Sequence, residues 1–220
     1  MPLRPEKLTA YRSDEVARNY DQRWSGSGGR RRDARKGRVL LGALDSLSGN
    51  TKEPVRSILD VPCGTARFAE LLTQSGFTWT GADLSLPMLK KGEEKKPSSQ
   101  LLSADLSNLP FQDNSFDAVV CIRFLHLVRD PELRISFLKE LRRVARLGVI
   151  TGWHHSQSFR VWGRKLRHQV GFRKKAPSNP SPATIRSELQ LAGLQTNTWL
   201  PVRQIPWTSD KVLVLSKSSK

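Results

Sequence analysis

The chain has 220 residues, of which 37% are hydrophobic and 26% are charged, so it is long enough to bury a core and its composition argues against a wholly disordered chain. Its formal net charge is +17, because 37 Lys and Arg residues outnumber 20 Asp and Glu residues. Two cysteines do not make a disulfide framework, and no apolar run reaches the roughly 18–20 residues that span a bilayer. The N-terminal segment lacks the apolar stretch of a secretory signal, so we expect a cytoplasmic protein, with a peripheral position at a membrane as a second option.

The positive charge is concentrated in the two flanks of the chain. Residues 1–50 hold 11 basic and 6 acidic residues, residues 51–150 hold 14 and 12, and residues 151–220 hold 12 and 2. The corresponding balances are +5, +2 and +10. An anionic partner is therefore expected at the flanks, and both RNA and an anionic membrane surface qualify. The alternative is a basic surface that is merely solvated.

The N-terminal part is predicted to be helical and basic. Residues 11–24 have apolar side chains at four-residue spacing, which predicts a helix. Residues 25–38 combine glycine and serine with dense arginine, which predicts a mobile loop, and residues 39–47 predict another helix. We therefore expect a helical and basic cap over residues 1–50, followed by a main domain over residues 51–220.

From residue 55 onward, short apolar runs alternate with helical patterns. The predicted strands are residues 55–61, 77–84, 99–106, 115–128, 147–153, 195–202 and 211–217. The predicted helices between them are residues 65–76, 84–96, 130–146 and 181–194. Strands that alternate with helices at this spacing indicate an α/β fold, with a parallel sheet and helices on both faces. The basic residues at about 154–180 interrupt the pattern and are expected to be an insertion.

Acidic residues and a glycine follow the first two predicted strands. In an open parallel sheet, ligands bind outside the carboxyl ends of the strands. Asp60 ends the first strand, and Gly64 follows in a turn where the absent side chain lets the backbone approach a ligand. Asp83 ends the second strand, 19 positions beyond Gly64, and a carboxylate there can accept hydrogen bonds from both hydroxyls of a ribose.

A third acid follows the third strand, and the residues of the turn indicate which class of nucleoside cofactor is bound. Asp105 follows the third strand, where it can accept from the exocyclic amine of an adenine. A dinucleotide site requires G-x-G-x-x-G, whereas Ala66 and Ala69 take the places of the second and third glycines here. A carboxylate at Asp60 would also repel a pyrophosphate. The residues therefore predict a nucleoside cofactor with a cationic amino-acid end and no phosphate.

These residues lie in segments that resemble the motifs of class I S-adenosylmethionine-dependent methyltransferases. The segment ILDVPCGTARFAELL resembles motif I, GADLSLPMLKKG resembles the second motif, and SADLSNLPFQDNSFDAVVCIRFLHLV resembles the third and fourth together. The strongest likeness is to the methyltransferase type 11 group, which includes ubiquinone/menaquinone C-methyltransferases. The resemblance implies S-adenosyl-L-methionine as the cofactor and a Rossmann-like class I fold, with a mostly parallel seven-stranded sheet and an antiparallel last strand.

The resemblance also implies roles for single residues. The expected cofactor-binding residues are Asp60, Pro62, Cys63, Gly64, Thr65, Arg67, Asp83, Leu84, Met88, Asp105, Leu106 and Arg123. Within this set, the turn around Gly64 and the side chain of Arg123 are expected at the methionine end of the cofactor. Leu84 and Met88 are expected to flank the adenine, and the Leu106 amide is expected near the adenine amine. Two residues depart from the family pattern, since glycines are usual in motif I at the places of Pro62 and Ala66.

The residues that carry the chemistry are less evident. Methyl transfer from a sulfonium is an in-line displacement, so the protein has mainly to hold the reactants in line. His126, just beyond the fourth predicted strand, is the residue that we assign as catalytic, as a base for a substrate hydroxyl. The alternative for His126 is a polar residue that begins a loop. No set of His, Cys and acidic residues has the spacing of metal ligands, so we expect no metal.

The basic insertion carries the signal about the acceptor. If it is helical, one face holds the apolar residues Phe159, Trp162, Leu166 and Val170, and basic residues occupy the rest. Such a segment suits an anionic membrane, an RNA backbone or a packed lid with a solvated face.

Three functions therefore remain open. The first is methyl transfer to a small-molecule or lipid-like acceptor, which the type 11 resemblance favours. The second is RNA methylation, which the net charge favours, although no Asn–Pro–Pro–Tyr motif for attack by a base amine follows the fourth strand. The third is a non-enzymatic adaptor that retains the fold, which the three intact acids oppose.

Overall fold

A computed structural model describes residues 13–95, 100–171, 179–203 and 205–218. Its helices are α1 Asp14–Tyr20, α2 Gln22–Ser25, α3 Ser27–Thr51, α4 Ala69–Gln74, α5 Leu86–Glu93, α6 Pro131–Val144, α7 Phe159–Gln169 and α8 Pro182–Leu191. Its strands are β1 Ser57–Asp60, β2 Thr78–Asp83, β3 Leu101–Ser103, β4 Phe116–Cys121, β5 Ala145–His154, β6 Leu194–Pro201 and β7 Lys211–Ser218. Single 3₁₀ turns occupy Leu125–Leu127 and Pro206–Thr208.

Within the described ranges, seven strands form one sheet in the order β3-β2-β1-β4-β5-β7-β6. The strands from β1 to β5 pair in parallel, and β7 pairs antiparallel with both β5 and β6. The strand order reverses between β1 and β4, and an open α/β sheet binds its ligand at such a switch point. The predicted α/β class, the mostly parallel sheet and the antiparallel last strand are confirmed.

Helices cover both faces of the sheet because the side chains of its strands alternate. In β1, Ile58 packs on one face and Leu59 on the other, and neighbouring residues of β4 divide in the same way. The first face is covered by α3, α4 and α5, and the second by α6 and α8. Each fully buried leucine or isoleucine in these layers stabilises the fold by roughly 1.5–3 kcal/mol.

Helix α3 corrects one of the sequence-based predictions. The mobile loop expected over residues 25–38 is wrong, because α3 begins at Ser27 and runs without a break to Thr51. Its buried side continues at helical spacing through the glycines and comprises Gly29, Lys36, Gly37, Leu40, Ala43, Leu44 and Leu47. A Cβ atom on Gly37 would lie 2.6 Å from Leu71 Cδ2, so the glycine allows α3 to approach α4 closely.

Two helix boundaries also differ from the prediction. The helix expected over residues 65–76 begins only at Ala69, because the preceding residues form the turn after β1. The helix expected over residues 11–24 is interrupted at Asp21, which separates α1 from α2. Residues 11 and 12 lie outside the described ranges.

The basic insertion is helical in part. Residues 159–169 form α7, so the helical case considered for this segment applies there, whereas residues 172–178 lie outside the described ranges. The division into a cap over residues 1–50 and a main domain over residues 51–220 stays a prediction. No helix in the described part of the chain is both long and apolar enough to cross a membrane.

A buried ion pair joins α6 to α8. Arg134 Nε donates to Glu188 Oε2 at 2.8 Å, and Arg134 Nη2 donates to the other carboxylate oxygen. Arg134 Nη1 also donates to the carbonyl oxygens of Val128 at 2.7 Å and Arg129 at 2.9 Å. Arg134 is 7% exposed and Glu188 is 3% exposed, so each charge depends on the other for compensation.

We predict that Glu188→Ala lowers the free energy of unfolding by about 3–5 kcal/mol, because it leaves the Arg134 guanidinium buried beside no carboxylate. Urea unfolding followed by circular dichroism measures this difference. The matched control is Glu132→Ala at the exposed start of α6, which should cost less than about 1 kcal/mol. Equal losses in the two variants would contradict the role given to the buried pair.

Candidate functional site

The carboxyl ends of the first strands meet at one edge of the sheet. Asp60, at the end of β1, is in register with Gly81 of β2 and Val120 of β4. Asp83, at the end of β2, is in register with Ser103 of β3. The structure therefore brings together the strand ends at which the sequence places its acids.

Asp83 holds the turn that follows β1. The Gly64 N–H donates to Asp83 Oδ2 at 2.8 Å, and the Ser85 N–H donates to Asp83 Oδ1 at 2.8 Å. Gly64 has a φ of 60°, a left-handed conformation that glycine adopts without steric cost. Burial raises the pKa of the Asp83 carboxyl, although these backbone hydrogen bonds oppose the shift. A carboxylate offers about four lone-pair sites, so Asp83 keeps acceptor capacity that a ribose hydroxyl can use.

The same turn contains a residue in an unfavourable conformation. Ala66 stands where a glycine is usual in motif I, and it has a φ of 53°. An L-residue in this region costs roughly 1–2 kcal/mol, and the surrounding structure has to hold it there. Ala66 is only 4% exposed, so its methyl group is packed into the turn rather than directed to solvent.

The Asp60 carboxyl is buried without a full set of hydrogen-bond partners among the described residues. The residue is 2% exposed, and its Oδ2 atom has no hydrogen-bond partner among the described residues. Burial, helped by the charge of Asp83 and opposed by a hydrogen bond with Trp79, raises the pKa of Asp60 to about 7. A cationic group at this edge of the sheet would compensate the ionised carboxylate. The site thus fits the ammonium end of a methionine-derived cofactor.

The two thiols are unsuited to nucleophilic chemistry. Cys63 and Cys121 are both buried, and burial raises the pKa of each thiol well above its ordinary value. A thiol that stays protonated is neither a nucleophile nor a metal ligand. In the part of the chain that the structure describes, no group of three or more His, Cys, Asp and Glu residues is placed to hold a metal ion.

The residues expected around the adenine lie beyond β2 and β3. Leu84 is 37% exposed, whereas Met88 is 2% and Leu106 is 6% exposed, so Met88 and Leu106 belong mainly to the core. Asp105 Oδ1 accepts hydrogen bonds from the Ser107 N–H at 3.0 Å and from the Ser107 hydroxyl at 2.8 Å. One oxygen of Asp105 thus stabilises a local turn. The adenine roles of these residues stay predictions.

The N-terminal helices contact the turn after β1, which the sequence analysis did not foresee. Thr65 Oγ1 donates to Asp21 Oδ1 at 2.8 Å, and Lys95 Nζ lies 2.8 Å from Asp21 Oδ2. Arg67 forms an ion pair with Asp33 of α3. These contacts join residues far apart in the chain, so no local pattern reveals them. Only the helical spacing of the small residues in α3 could have indicated that this segment packs on the domain.

Basic side chains from three elements influence one another at this site. Lys36 of α3 is 8% exposed, and burial together with the charges of Arg123 and Arg67 lowers its pKa to about 7. Arg123 follows β4, has a φ of 69° and lies with its guanidinium 5.1 Å from the centre of the Tyr20 ring. Burial also lowers the pKa of Lys211 at the start of β7, and the charge of Arg123 lowers it as well. The site is therefore electropositive on its β4 side.

His126 lies against a second histidine. It sits in the 3₁₀ turn after β4, and its ring stacks on that of His154 at a centroid distance of 4.0 Å and an angle of 24°. Burial lowers the pKa of His154 to about 2, with the neighbouring His126 and Lys211 contributing, so His154 is neutral at physiological pH. The structure places His126 beside the end of β5, and its catalytic role stays a prediction.

The strand order is that of the class I methyltransferase fold, and the acids lie at the ends of β1 and β2. The same fold is found in the magnesium protoporphyrin IX methyltransferase from Synechocystis PCC 6803 with bound SAH, at a TM-score of 0.70 and 16% identity, over 97% of this chain and 100% of that one. Residues 59–151 match the family model described as a methyltransferase domain. This match agrees with the methyltransferase motifs read from the sequence, so the resemblance is confirmed over these residues.

Curated relatives agree with this assignment over part of their length. A demethylmenaquinone methyltransferase from Renibacterium salmoninarum is 34% identical over 156 residues, which are 66% of this chain and 56% of the relative. An 18S rRNA (guanine(1575)-N(7))-methyltransferase from Saccharomyces cerevisiae is 32% identical over 121 residues, which are 54% of this chain and 42% of the relative. The chain spans about half the length of the curated relatives that it matches.

The raised pKa of Asp60 makes the stability of the ligand-free protein depend on pH. The folded protein holds the Asp60 proton up to about pH 7, whereas the unfolded chain releases it near its ordinary pKa of about 4. Stability is therefore lost as the pH rises from about 4 to about 7. We predict that Asp60→Asn raises the free energy of unfolding by on the order of 2–4 kcal/mol at about pH 8.5, and by less than about 1 kcal/mol at about pH 4.

Urea unfolding of parent and variant at both pH values measures the effect. Asp45→Asn, on the exposed side of α3, is the matched control and should change stability by less than about 0.5 kcal/mol at either pH. A stability difference for Asp60→Asn that does not change with pH would show that the carboxyl is not buried in its charged form.

Proposed function

We propose that this chain transfers the methyl group of S-adenosyl-L-methionine to a small-molecule or lipid-like acceptor. The observation that carries the proposal is the half-buried Asp83 carboxylate at the end of β2, which accepts a hydrogen bond from the Gly64 N–H in the turn after β1. A nucleoside can therefore approach the backbone of the turn at Gly64 and donate hydrogen bonds to the carboxylate of Asp83. The uncompensated Asp60 beside it supports a cofactor with a cationic end.

The protein's own residues position the reactants. When bound, the cofactor supplies a methyl carbon that is already activated by a sulfonium, so no protein nucleophile is needed. Asp83 would hold the ribose, and Asp60 and Arg123 would hold the charged groups of the methionine end. We assign His126 as the base that removes a proton from an acceptor hydroxyl. Its stacking on neutral His154 would fix the orientation of the imidazole ring.

The names of similar proteins support a small acceptor. One relative is named for demethylmenaquinone, and one protein with the same fold is named for magnesium protoporphyrin IX. Both names denote small molecules rather than nucleic acids. The basic side chains near β4, among them Arg123 and Lys36, would favour an acceptor that carries an anionic group.

RNA methylation is a second candidate, which the yeast rRNA methyltransferase relative and the net charge of +17 favour. It has less support, because the similarity covers less of this chain than that of the demethylmenaquinone methyltransferase from Renibacterium salmoninarum. An adaptor without activity is the third candidate. The retention of Asp60 at the end of β1 speaks against it, since this carboxyl is buried with a raised pKa and lowers the stability of the ligand-free protein above about pH 4.

We predict that the purified protein binds S-adenosylmethionine in calorimetry, and that Asp83→Ala weakens this binding at least about 100-fold. Removal of the carboxylate deletes two charge-assisted hydrogen-bond acceptors, each worth roughly 1.5–3 kcal/mol. The variant also leaves the N–H groups of Gly64 and Ser85 without their acceptor, so we expect a stability loss of roughly 2 kcal/mol.

Asp45→Ala on the exposed side of α3 is the matched control and should keep the affinity of the parent. Thermal unfolding has to show that Asp83→Ala is folded at the temperature of the titration. Binding by the folded Asp83→Ala variant at parental strength would remove the basis of the site assignment. No binding by the parent protein would favour the adaptor.

A further inference from the structure

Helix α7 presents an apolar face to solvent. Its other side is held against the domain, because Val161 is fully buried and Arg164 Nη2 donates to Asp210 Oδ2 at 2.7 Å. The outward residues and their exposed fractions are Phe159 65%, Trp162 64%, Leu166 45% and Val170 56%. The packing of the opposite side of α7 therefore determines that these side chains point to solvent.

The apolar surface continues beyond the helix. The 3₁₀ turn Pro206–Thr208 packs against α7, and near it Ile205 is 51% and Trp207 is 64% exposed. We call these two residues and the four outward residues of α7 the apolar face. Two tryptophans, a phenylalanine and three aliphatic side chains in one exposed surface are more than a solvated lid helix requires.

Basic residues border the apolar face on both sides. At 3.6 residues per turn, the outward residues of α7 occupy about 80° of the helix circumference. Arg160 and Arg167 lie on one flank of this arc, and Lys165 lies on the other. Between residues 155 and 209 the sequence contains one acidic residue, Glu188, and its charge is compensated by Arg134. An anionic surface would thus meet little repulsion here.

We propose that the apolar face is a docking surface for an anionic lipid bilayer, with its aromatic and aliphatic side chains inserted at the interface and the flanking cations on the phosphates. Helix α7 follows the carboxyl end of β5, on the edge of the sheet that holds Asp60 and Asp83. Docking through α7 would therefore take place at the edge of the sheet where the site lies. The proposal goes beyond the proposed function, because lipid binding requires no methyl transfer.

Two other occupants fit the face less well. Single-stranded nucleic acid stacks its bases on rings, but Leu166, Val170 and Ile205 offer none. A second copy of this chain would place the cations bordering one apolar face beside those of another, which costs free energy. A bilayer rich in anionic phospholipid satisfies the apolar and the basic residues together.

The test is co-sedimentation of the full chain with vesicles. Vesicles of equal parts phosphatidylcholine and phosphatidylglycerol should bind the protein, whereas pure phosphatidylcholine and high salt should weaken binding. The double variant Phe159→Ser/Trp162→Ser should bind the anionic vesicles at least about tenfold more weakly. Leu191→Ser is the matched control, since Leu191 is 62% exposed on α8 outside the apolar face, and it should bind as the parent does.

Circular dichroism and thermal unfolding of the variants establish that all are folded, as expected for exposed positions. The proposal is overturned if the parent does not bind anionic vesicles, or if the double variant and the Leu191→Ser control bind them equally. It is also overturned if the double variant loses retention on an RNA oligonucleotide, or dissociates from a dimer, while vesicle binding persists. Calorimetry with S-adenosylmethionine is read separately, so failure of docking and failure of the proposed function remain distinguishable.

Discussion

The site depends on one carboxylate that joins two turns. Asp83 accepts the N–H of Gly64, which lies beyond β1, and the N–H of Ser85, which lies beyond β2. Hydrogen bonds to an ionised acceptor are shorter and stronger than neutral ones, so this pair fixes the distance between the two strand ends. It also keeps Gly64 in its left-handed conformation. Asp83 is half-buried, and the same hydrogen bonds limit the cost of its charge.

The α/β fold could be predicted because its signals are local and repeated. Alternating strands and helices set the parallel sheet, and the residues after each strand pointed to the edge where Asp60 and Asp83 lie. Helix α3 could not be predicted from the same signals. Its first part carries glycines and arginines, which favour a loop in isolation, and the burial of Gly29 and of Gly37, the latter against α4, accommodates them in a helix. Tertiary packing overrides propensity there.

The finer details of the site depend on contacts between distant residues. Thr65 is bonded to Asp21, 44 positions earlier, and His126 stacks on His154 of another strand. Neither contact leaves a periodic pattern in the sequence. The position of Asp105 was predicted, but the hydrogen bonds from Ser107 to its carboxylate depend on the conformation of one short turn. Hydrogen bonds and ring contacts of this kind depend on single side chains, and a pattern of apolar residues gives no information about them.

The position of β7 has a consequence for how this protein is made. β7 follows β6 in the chain, yet it lies inside the sheet, where it separates β6 from β5. A ribosome that has not yet released β7 therefore carries a nascent domain whose β5 edge is open and whose β6 has no neighbour. Unpaired edges of this kind are templates for aggregation. The interval between the synthesis of β6 and the arrival of β7 is thus the period in which the growing polypeptide most needs a chaperone.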